Sequence, residues 1–94
     1  MQQHMERVMT QVQQMNQEMT QRQVRQEFRQ MGEQLESAGV QMQAMLRNAN
    51  KIRQTGGEGD DVHARRFEQL QERMQNLVRE LERTQQALQE LALP

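Results

Sequence analysis

The side chains best suited to hold a metal ion or to move a proton are two histidines, His4 and His63. A dinuclear metal centre in a helical bundle uses Glu-x-x-His pairs on facing helices, and neither histidine follows a glutamate by three positions. Asp60 precedes His63 by three positions, but an aspartate beside a turn suits helix capping. We therefore expect no metal site.

Nucleophilic and phosphate-binding chemistry has equally little support. The chain has no cysteine, and Ser37 is its single serine. The segment Gly56-Gly57-Glu58-Gly59 lacks both the preceding strand and the Lys-Ser/Thr pair of a phosphate-binding loop. We expect no catalytic residue and no cofactor, and we interpret the protein as non-enzymatic.

Arginine supplies 11 of the 12 basic residues, and Arg22, Arg25 and Arg29 form a stripe at 3-4 spacing. Glu18 and Glu27 are interspersed with them, and the formal net charge of the chain is −1. Binding to a phosphate backbone needs several uncompensated cations. We therefore do not expect nucleic acid to be the partner.

Membrane association has weak signals. No apolar run approaches the length of a bilayer span, and residues 1–4 do not begin a signal peptide, so a cytoplasmic location is the default expectation. Lipid-surface helices carry bulky Trp, Phe or Leu and flanking cations, whereas residues 1–23 offer Met and Val. Binding to a lipid surface stays an alternative.

Apolar periodicity predicts which elements carry these residues. Residues 61–93 have apolar side chains at alternating steps of three and four, the heptad pattern of a coiled-coil helix. The series is Phe67, Leu70, Met74, Leu77, Leu81, Thr84, Leu88 and Leu91. Val78, Ala87 and Ala92 widen this stripe, which favours a bundle with more than one neighbour.

The part of the chain before the turn carries two apolar series that are out of phase. The downstream series is Val24, Phe28, Met31, Leu35, Ala38, Met42, Met45, Ala49 and Ile52, and the upstream series is Met5, Val8, Val12, Met15 and Met19. The phase slips by two positions across residues 20–23. No Gly or Pro lies there, so we expect one helix to continue while its buried face rotates. The alternative is a break into a third, short helix.

Residues 55–60 carry the signals of a tight turn between two helices. The turn glycines are Gly56, Gly57 and Gly59. A short connection makes the flanking helices antiparallel neighbours, and the expected register places Met45 near Leu70 and Ala38 near Leu77.

The predicted fold is all-α. It is an antiparallel two-helix coiled-coil hairpin over residues 24–93, preceded by a long Met-rich amphipathic helical extension over residues 1–23. The predicted hairpin core is Val24, Phe28, Met31, Leu35, Met42, Met45, Ile52, Phe67, Leu70, Met74, Leu77, Leu81, Leu88 and Leu91. Because the second helix is too short to cover the extension, we expect an oligomeric helical bundle, as a homodimer or higher oligomer.

The predicted protein-interface residues lie on the extension and on the flanks of the hairpin. They are Met5, Val8, Val12, Met15, Met19, Leu46 and Val78. Methionine packs adaptably against varied partners. The sequence is therefore interpreted as a structural or adaptor protein that self-associates and docks another protein through its Met-rich N-terminal helix. Two alternatives stay open: a small helical substrate or chaperone of a secretion system, and a peripheral lipid- or nucleic-acid-binding helix pair.

Gly32 and Gly39 lie seven positions apart and share one face of the first helix. A glycine inside a helix costs about 0.5–1 kcal/mol relative to alanine. We expect another helix to approach that face closely, because close approach would offset this cost.

Overall fold

The computed structural model describes residues 1–55 and 61–94. The described part of the chain contains three α-helices: α1 Gln2–Gln21, α2 Gln26–Gln54 and α3 Asp61–Ala92. The all-α prediction is therefore confirmed. The predicted turn residues Gly56, Gly57 and Gly59 lie outside the described residues.

The three helices pack side by side, and each contacts the other two. α1 runs antiparallel to α2, because Gly32 lies beside Met19 and Gly39 lies beside Met9. α3 in turn runs antiparallel to α2, so that α1 and α3 are parallel. The described residues therefore form an up-down-up bundle.

The chain reverses between α1 and α2 over residues 22–25. Gln23 adopts a φ of 54°, the left-handed conformation typical of the residue that follows a helix. The N–H of Gln23 donates to the Thr20 oxygen at 3.2 Å, and the N–H of Val24 donates to the Met19 oxygen at 3.2 Å. These two bonds form a Schellman motif. The expectation of one continuous helix is therefore wrong, and the alternative of a break is observed.

The reversal allows α1 to bury its own apolar stripe. Its buried residues are Met5, Val8, Met9, Val12, Met15 and Met19. Full burial contributes about 1.5–3 kcal/mol for each large apolar side chain, whereas one non-glycine residue in the left-handed conformation costs about 1–2 kcal/mol. Burial therefore outweighs the strain at Gln23, and residues 1–23 form a third side of the bundle instead of an unpartnered extension.

The buried faces of α2 and α3 share about half of their positions with the predicted seam, and at the other positions the next residue along the helix is buried instead. The buried residues of α2 are Gly32, Leu35, Gly39, Met42, Leu46 and Ala49, and those of α3 are Met74, Val78, Gln85 and Leu88. A seam between two helices is centred on the line where they touch. A third helix shifts the centre of burial toward the groove that it occupies.

The predicted core divides accordingly. Buried as expected are Leu35, Met42, Met74 and Leu88, and half-buried against the core are Val24, Phe28, Phe67 and Leu81. Exposed instead are Met31, Met45, Ile52, Leu70, Leu77 and Leu91. These six lie on the side of the α2–α3 pair that faces away from α1, which is why the bundle leaves them uncovered.

The register between α2 and α3 also differs from the prediction. Met31 and Leu91 line the same groove as Ala38 and Thr84. Ala38 therefore lies level with Thr84 and not with Leu77, a shift of one heptad. The prediction brought the same stripes of the two helices together but shifted them by seven residues. A heptad pattern repeats every seven residues, so the two registers have the same apolar pattern.

Local charges support the start of α2. Arg25 precedes the helix, and its guanidinium lies 2.9 Å from the Glu27 carboxylate. A backbone hydrogen bond and this guanidinium lower the pKa of Glu27 below its ordinary value. A carboxylate in the first turn also favours the positive end of the helix dipole.

The expected close approach to Gly32 and Gly39 is confirmed, and the approaching helix is α1 of the same chain. A Cβ built on Gly32 would collide with the side chain of Asn16 and lie 2.6 Å from the Met19 methyl. A Cβ on Gly39 would collide with the Met9 sulfur. The two glycines therefore allow α1 and α2 to pack closely.

Candidate interaction surface

The residues that sequence analysis considered for chemistry are dispersed on the bundle. His4 on α1 lies 2.9 Å from the Glu82 carboxylate on α3, which places a polar contact between the two parallel helices. His63 lies in the first turn of α3, and Ser37 is exposed on α2. Among the described residues, no group of three His, Asp or Glu side chains converges on a common point.

Two of the three arginines in the stripe lie beside carboxylates. Arg22 lies 2.8 Å from Glu18, and Arg25 lies 2.9 Å from Glu27. Such exposed pairs contribute little stability, but they compensate the charges of Arg22 and Arg25.

None of the described helices is long and apolar enough to cross a bilayer.

Each pair of helices is separated by a groove, and two of the described grooves are polar. Side chains that line the α1–α2 groove include Gln13, Gln17, Gln30 and Glu33. Side chains that line the α1–α3 groove include Gln14, Gln86, Gln89 and Glu90. Glutamine-rich grooves present amides that remain hydrated, so neither is suited to receive an apolar partner.

The groove between α2 and α3 is different because its lining is mostly apolar where it passes Met31, Ala38 and Leu91. Steps of seven residues continue its two borders as Met31, Ala38, Met45 and Ile52 on α2, and as Leu70, Leu77, Thr84 and Leu91 on α3. Each series repeats every seven residues, so each forms a straight stripe on its helix. The large members of the two stripes are between 43% and 65% exposed. We call this two-stripe surface the α2–α3 face.

Two antiparallel helices place these stripes in matched layers. The groove is lined by residues within 31–38 of α2 and within 84–91 of α3, which in an antiparallel pair places Met31 level with Leu91 and Ala38 level with Thr84. Steps of seven along both helices then bring Met45 level with Leu77. Near the other end of the pair, Leu46 and Met74 line one groove, which agrees with the same register.

One layer of the α2–α3 face is smaller than the others. Ala38 and Thr84 are short side chains, and they lie at one end of an open groove of about 430 Å³. Its apolar floor includes Leu35 and Leu88, both of which belong to the core. The face therefore contains a depression that an apolar side chain of another molecule can enter.

The borders of the α2–α3 face carry little charge. The side chains three positions beyond each stripe residue flank the stripe, as helix geometry dictates. On α2 these are Gln34, Gln41 and Asn48, and on α3 they are Arg73, Glu80 and Ala87. Arg73 and Glu80 balance each other, so the rim is polar with no net charge.

The predicted interface residues have a different location from that expected. All seven are buried inside the bundle: Met5, Val8, Val12, Met15, Met19, Leu46 and Val78. In the folded chain these side chains belong to the core formed by the three helices. The physical reason is the reversal at residues 22–25, which supplies an internal partner for the Met-rich stripe.

Two polar residues of the interior were missed by sequence reasoning. Gln85 is 2% exposed, and its amide nitrogen donates to the Gln89 oxygen at 2.6 Å. Asn16 donates from Nδ2 to the Gly32 backbone oxygen at 3.1 Å. With 20 glutamines in the chain, nothing marks Gln85 as different from those on the surface. A spacing of seven from the buried Val78 was the available signal.

Comparisons with known proteins add no relatives. No protein-family model matches the chain, and neither the curated proteins nor the solved structures yield a match.

Proposed function

We propose that the protein is a non-enzymatic structural or adaptor protein that docks a helical partner on its α2–α3 face. The observation that carries this proposal is the contrast between the grooves. The observed groove between α2 and α3 is lined chiefly by apolar side chains, whereas glutamine and glutamate predominate in two grooves beside α1.

The exposed apolar area supports docking. Contiguous apolar patches of more than a few hundred Å² are rare on monomers and mark interaction sites. Six large apolar side chains share the face, and each is at least 43% exposed. Their burial against a partner would contribute a substantial part of about 1.5–3 kcal/mol for each side chain.

A partner with an exposed helical face fits this surface best. The two stripes lie on antiparallel helices with a groove between them, and such a surface receives the apolar side of amphipathic helices. Helices packed there would extend the bundle of α1, α2 and α3. The methionines exposed on this face are Met31 and Met45, whereas four methionines of α1 are buried in the core.

The lipid-, nucleic-acid- and secretion-related alternatives have no specific observation in their favour. Three of the residues that border the α2 stripe are Gln34, Gln41 and Asn48, where a lipid-surface helix carries cations. Arg22 and Arg25 are paired with carboxylates. These observations favour a protein partner.

A site-specific photocrosslinker tests the proposal. Benzoylphenylalanine replaces Met45 on the face in one variant and Ala44, an exposed residue of α2 outside the stripe, in the other. The full-length chain is irradiated in a native lysate, and crosslinked protein is resolved by mass. Docking predicts a defined protein adduct, to the chain itself or to another protein, from position 45 and much less from position 44. Equal or absent crosslinking at the two positions would refute it.

A further inference from the structure

We infer that the occupant of the α2–α3 face is a second copy of this chain, seated antiparallel on it. In this arrangement Met45 and Leu77 of one copy fill the depression at Ala38 and Thr84 of the other. The inference rests on the proposed function, because it names the partner that the face receives. The shape of the face favours a copy of the same chain, and its size and charge are compatible with one.

The size of the face is sufficient for a small dimer interface. From Met31 to Ile52 the stripe runs about 32 Å at 1.5 Å per residue, and the bundle is 19 Å wide. The face therefore covers roughly 600 Å², at the lower end of the range of about 600–1,000 Å² that stable interfaces take from each partner. A single helix from another protein would cover only the central groove. A second α2–α3 face would cover both stripes together.

The charge of the face does not oppose self-association. The whole chain carries a formal net charge of −1, so long-range repulsion between two copies is small. The rim positions Arg73 and Glu80 compensate each other. Glu80 is also paired with Arg83 on its own helix, at 2.9 Å, so two copies of Glu80 can approach without two uncompensated charges meeting.

The shape of the face is self-complementary. The face has four layers, counted from the N-terminal end of α2. The first (Met31 with Leu91), third (Met45 with Leu77) and fourth (Ile52 with Leu70) have large side chains. The second layer, Ala38 with Thr84, has small ones. A twofold axis across the middle of the face exchanges the first layer with the fourth and the second with the third. Each small layer then meets a large layer of the other copy, as close packing requires.

The alternative twofold axis, parallel to the helices, fits less well. With this axis each layer of one copy would face the same layer of the other copy. The short side chains Ala38 and Thr84 would then face each other across the interface and leave a void. Voids in an apolar interface cost stability because the lining atoms lose their contacts. The antiparallel axis is therefore preferred, and it places α2 against α2 and α3 against α3 of the second copy.

The contacts in this dimer are reciprocal, as in any isologous interface. Ala38 of each copy contacts Met45 of the other, and Thr84 of each contacts Leu77 of the other. The four α2 and α3 helices form a central four-helix bundle, and one α1 lies on each outer side. The exposed apolar stripes of both copies become the core of that bundle.

The first experiment measures the mass of the purified full-length chain by sedimentation equilibrium, beside two variants with a glutamate at adjacent positions of α3. Leu77→Glu places a charge in the face, whereas Asn76→Glu places it on the exposed side. We expect a dimer for the wild type and Asn76→Glu. Leu77→Glu should raise the dissociation constant by about a hundredfold or more, because a buried unpaired charge is costly. Circular dichroism checks that all three remain helical.

A monomeric wild type at roughly 100 μM, where an interface of standard size should be occupied, would overturn the inference. An equally stable Leu77→Glu dimer would also overturn it, because association would then use another surface. If the wild type is monomeric while position 45 still crosslinks to a different protein, the second copy is excluded and the proposed function stands. If both experiments are negative, both proposals fail.

A size exchange tests the layer packing. Ala38→Met fills the depression, so it should raise the dissociation constant by about tenfold or more through overpacking. Adding Met45→Ala to the same chain restores a small layer opposite a large one, and dimerisation should recover. If Ala38→Met alone lowers the dissociation constant, the antiparallel packing is wrong, because the depression at Ala38 would then not be filled by Met45 of the other copy.

Disulfide trapping tests the direction of the second copy. The natural chain has no cysteine, so each introduced thiol is unique. Gln41 lies midway between Ala38 and Met45 and therefore next to the twofold axis. Under mild oxidation Gln41→Cys should crosslink to its own copy, whereas Gln34→Cys should do so only when mixed with Asn48→Cys, since a disulfide needs Cα atoms within about 7 Å. Efficient self-crosslinking of Gln34→Cys would overturn the antiparallel arrangement.

Discussion

Asn16 on α1 donates from its Nδ2 atom to the backbone oxygen of Gly32 on α2, at 3.1 Å. The same nitrogen also lies 3.1 Å from the Glu36 carboxylate, while Asn16 Oδ1 is buried without a hydrogen-bond partner among the described residues. The absence of a Cβ at Gly32 makes this approach of α1 to the α2 backbone feasible. One asparagine and one glycine thereby set the distance between the two helices near the chain reversal.

Gly32→Ala should lower the free energy of unfolding by about 1 kcal/mol, because overpacking costs about 1–3 kcal/mol and the gain in helix propensity recovers only part of it. The new methyl group would collide with Asn16, which cannot move without losing its hydrogen bond to the Gly32 oxygen. Urea unfolding followed by circular dichroism measures the change.

Gly39→Ala and Ser37→Ala provide the comparison on the same helix. The Cβ at Gly39 meets chiefly the flexible thioether of Met9, so a smaller loss is expected there. Ser37 is exposed, and its replacement should be neutral or slightly stabilising through helix propensity. A Gly32→Ala variant more stable than the wild type would contradict the close approach of α1.

Gln23→Gly should raise the free energy of unfolding by about 0.5–1 kcal/mol, since glycine removes the left-handed strain and loses part of that gain to a more flexible unfolded chain. Gln23 has a φ of 54°. The matched control is Gln17→Gly, an exposed position inside α1, where glycine should cost about 1 kcal/mol. If both substitutions destabilise the protein equally, residues 22–25 do not form the observed reversal.

Two adjacent residues of α3 distinguish the observed core from the predicted one. Val78 is 0% exposed and Leu77 is 50% exposed. At a protein concentration low enough to maintain a monomer, Val78→Ala should lower the free energy of unfolding by about 2 kcal/mol through lost burial and a cavity. Leu77→Ala should cost less than half as much. The reverse order would favour the two-helix seam over the three-helix bundle.

Gln85→Leu should raise the free energy of unfolding by about 1 kcal/mol, because a buried amide with few partners is replaced by an apolar group of similar size. The Gln85 amide donates to Gln89 at 2.6 Å and lies 3.8 Å from the Met15 sulfur, a weak acceptor. Gln86→Leu, at the adjacent exposed position, should have little effect. If Gln85→Leu destabilises the protein more than Gln86→Leu does, the hydrogen bonds of Gln85 stabilise the folded state and the prediction is wrong.

The break between α1 and α2 was located by the sequence but misinterpreted. The phase slip across residues 20–23 was visible, and the absence of Gly and Pro suggested a continuous helix. The missed signal is the pair of apolar residues Met19 and Val24, which occupy the positions whose contact accompanies a Schellman motif. Gln23 occupies the position that is usually glycine in this motif, so the sequence lacked the residue that normally predicts the turn.

The rotation of the core has a related cause. Met31, Met45, Leu70 and Leu77 were assigned to the core because heptad spacing alone marks a helix face and not its neighbours. The apolar stripe of α2 is wide enough to include both the buried Leu46 and the exposed Met45. Which side is buried depends on where the third helix lies, and that position depends on the reversal at residues 22–25. The large residues of the α2–α3 face were therefore predicted to be core residues.

What the sequence alone determined is the local part of the structure: three amphipathic stretches, the approximate ends of the helices after the break, and the need for a close helix neighbour at Gly32 and Gly39. These follow from periodicity and backbone sterics, which act over a few residues. Only the tertiary structure decided that α1 folds back onto α2 and α3, which of two adjacent stripes is buried, and which groove remains apolar and open. Those outcomes depend on the total burial gained by the whole bundle, where six side chains of α1 outweigh the strain at one glutamine.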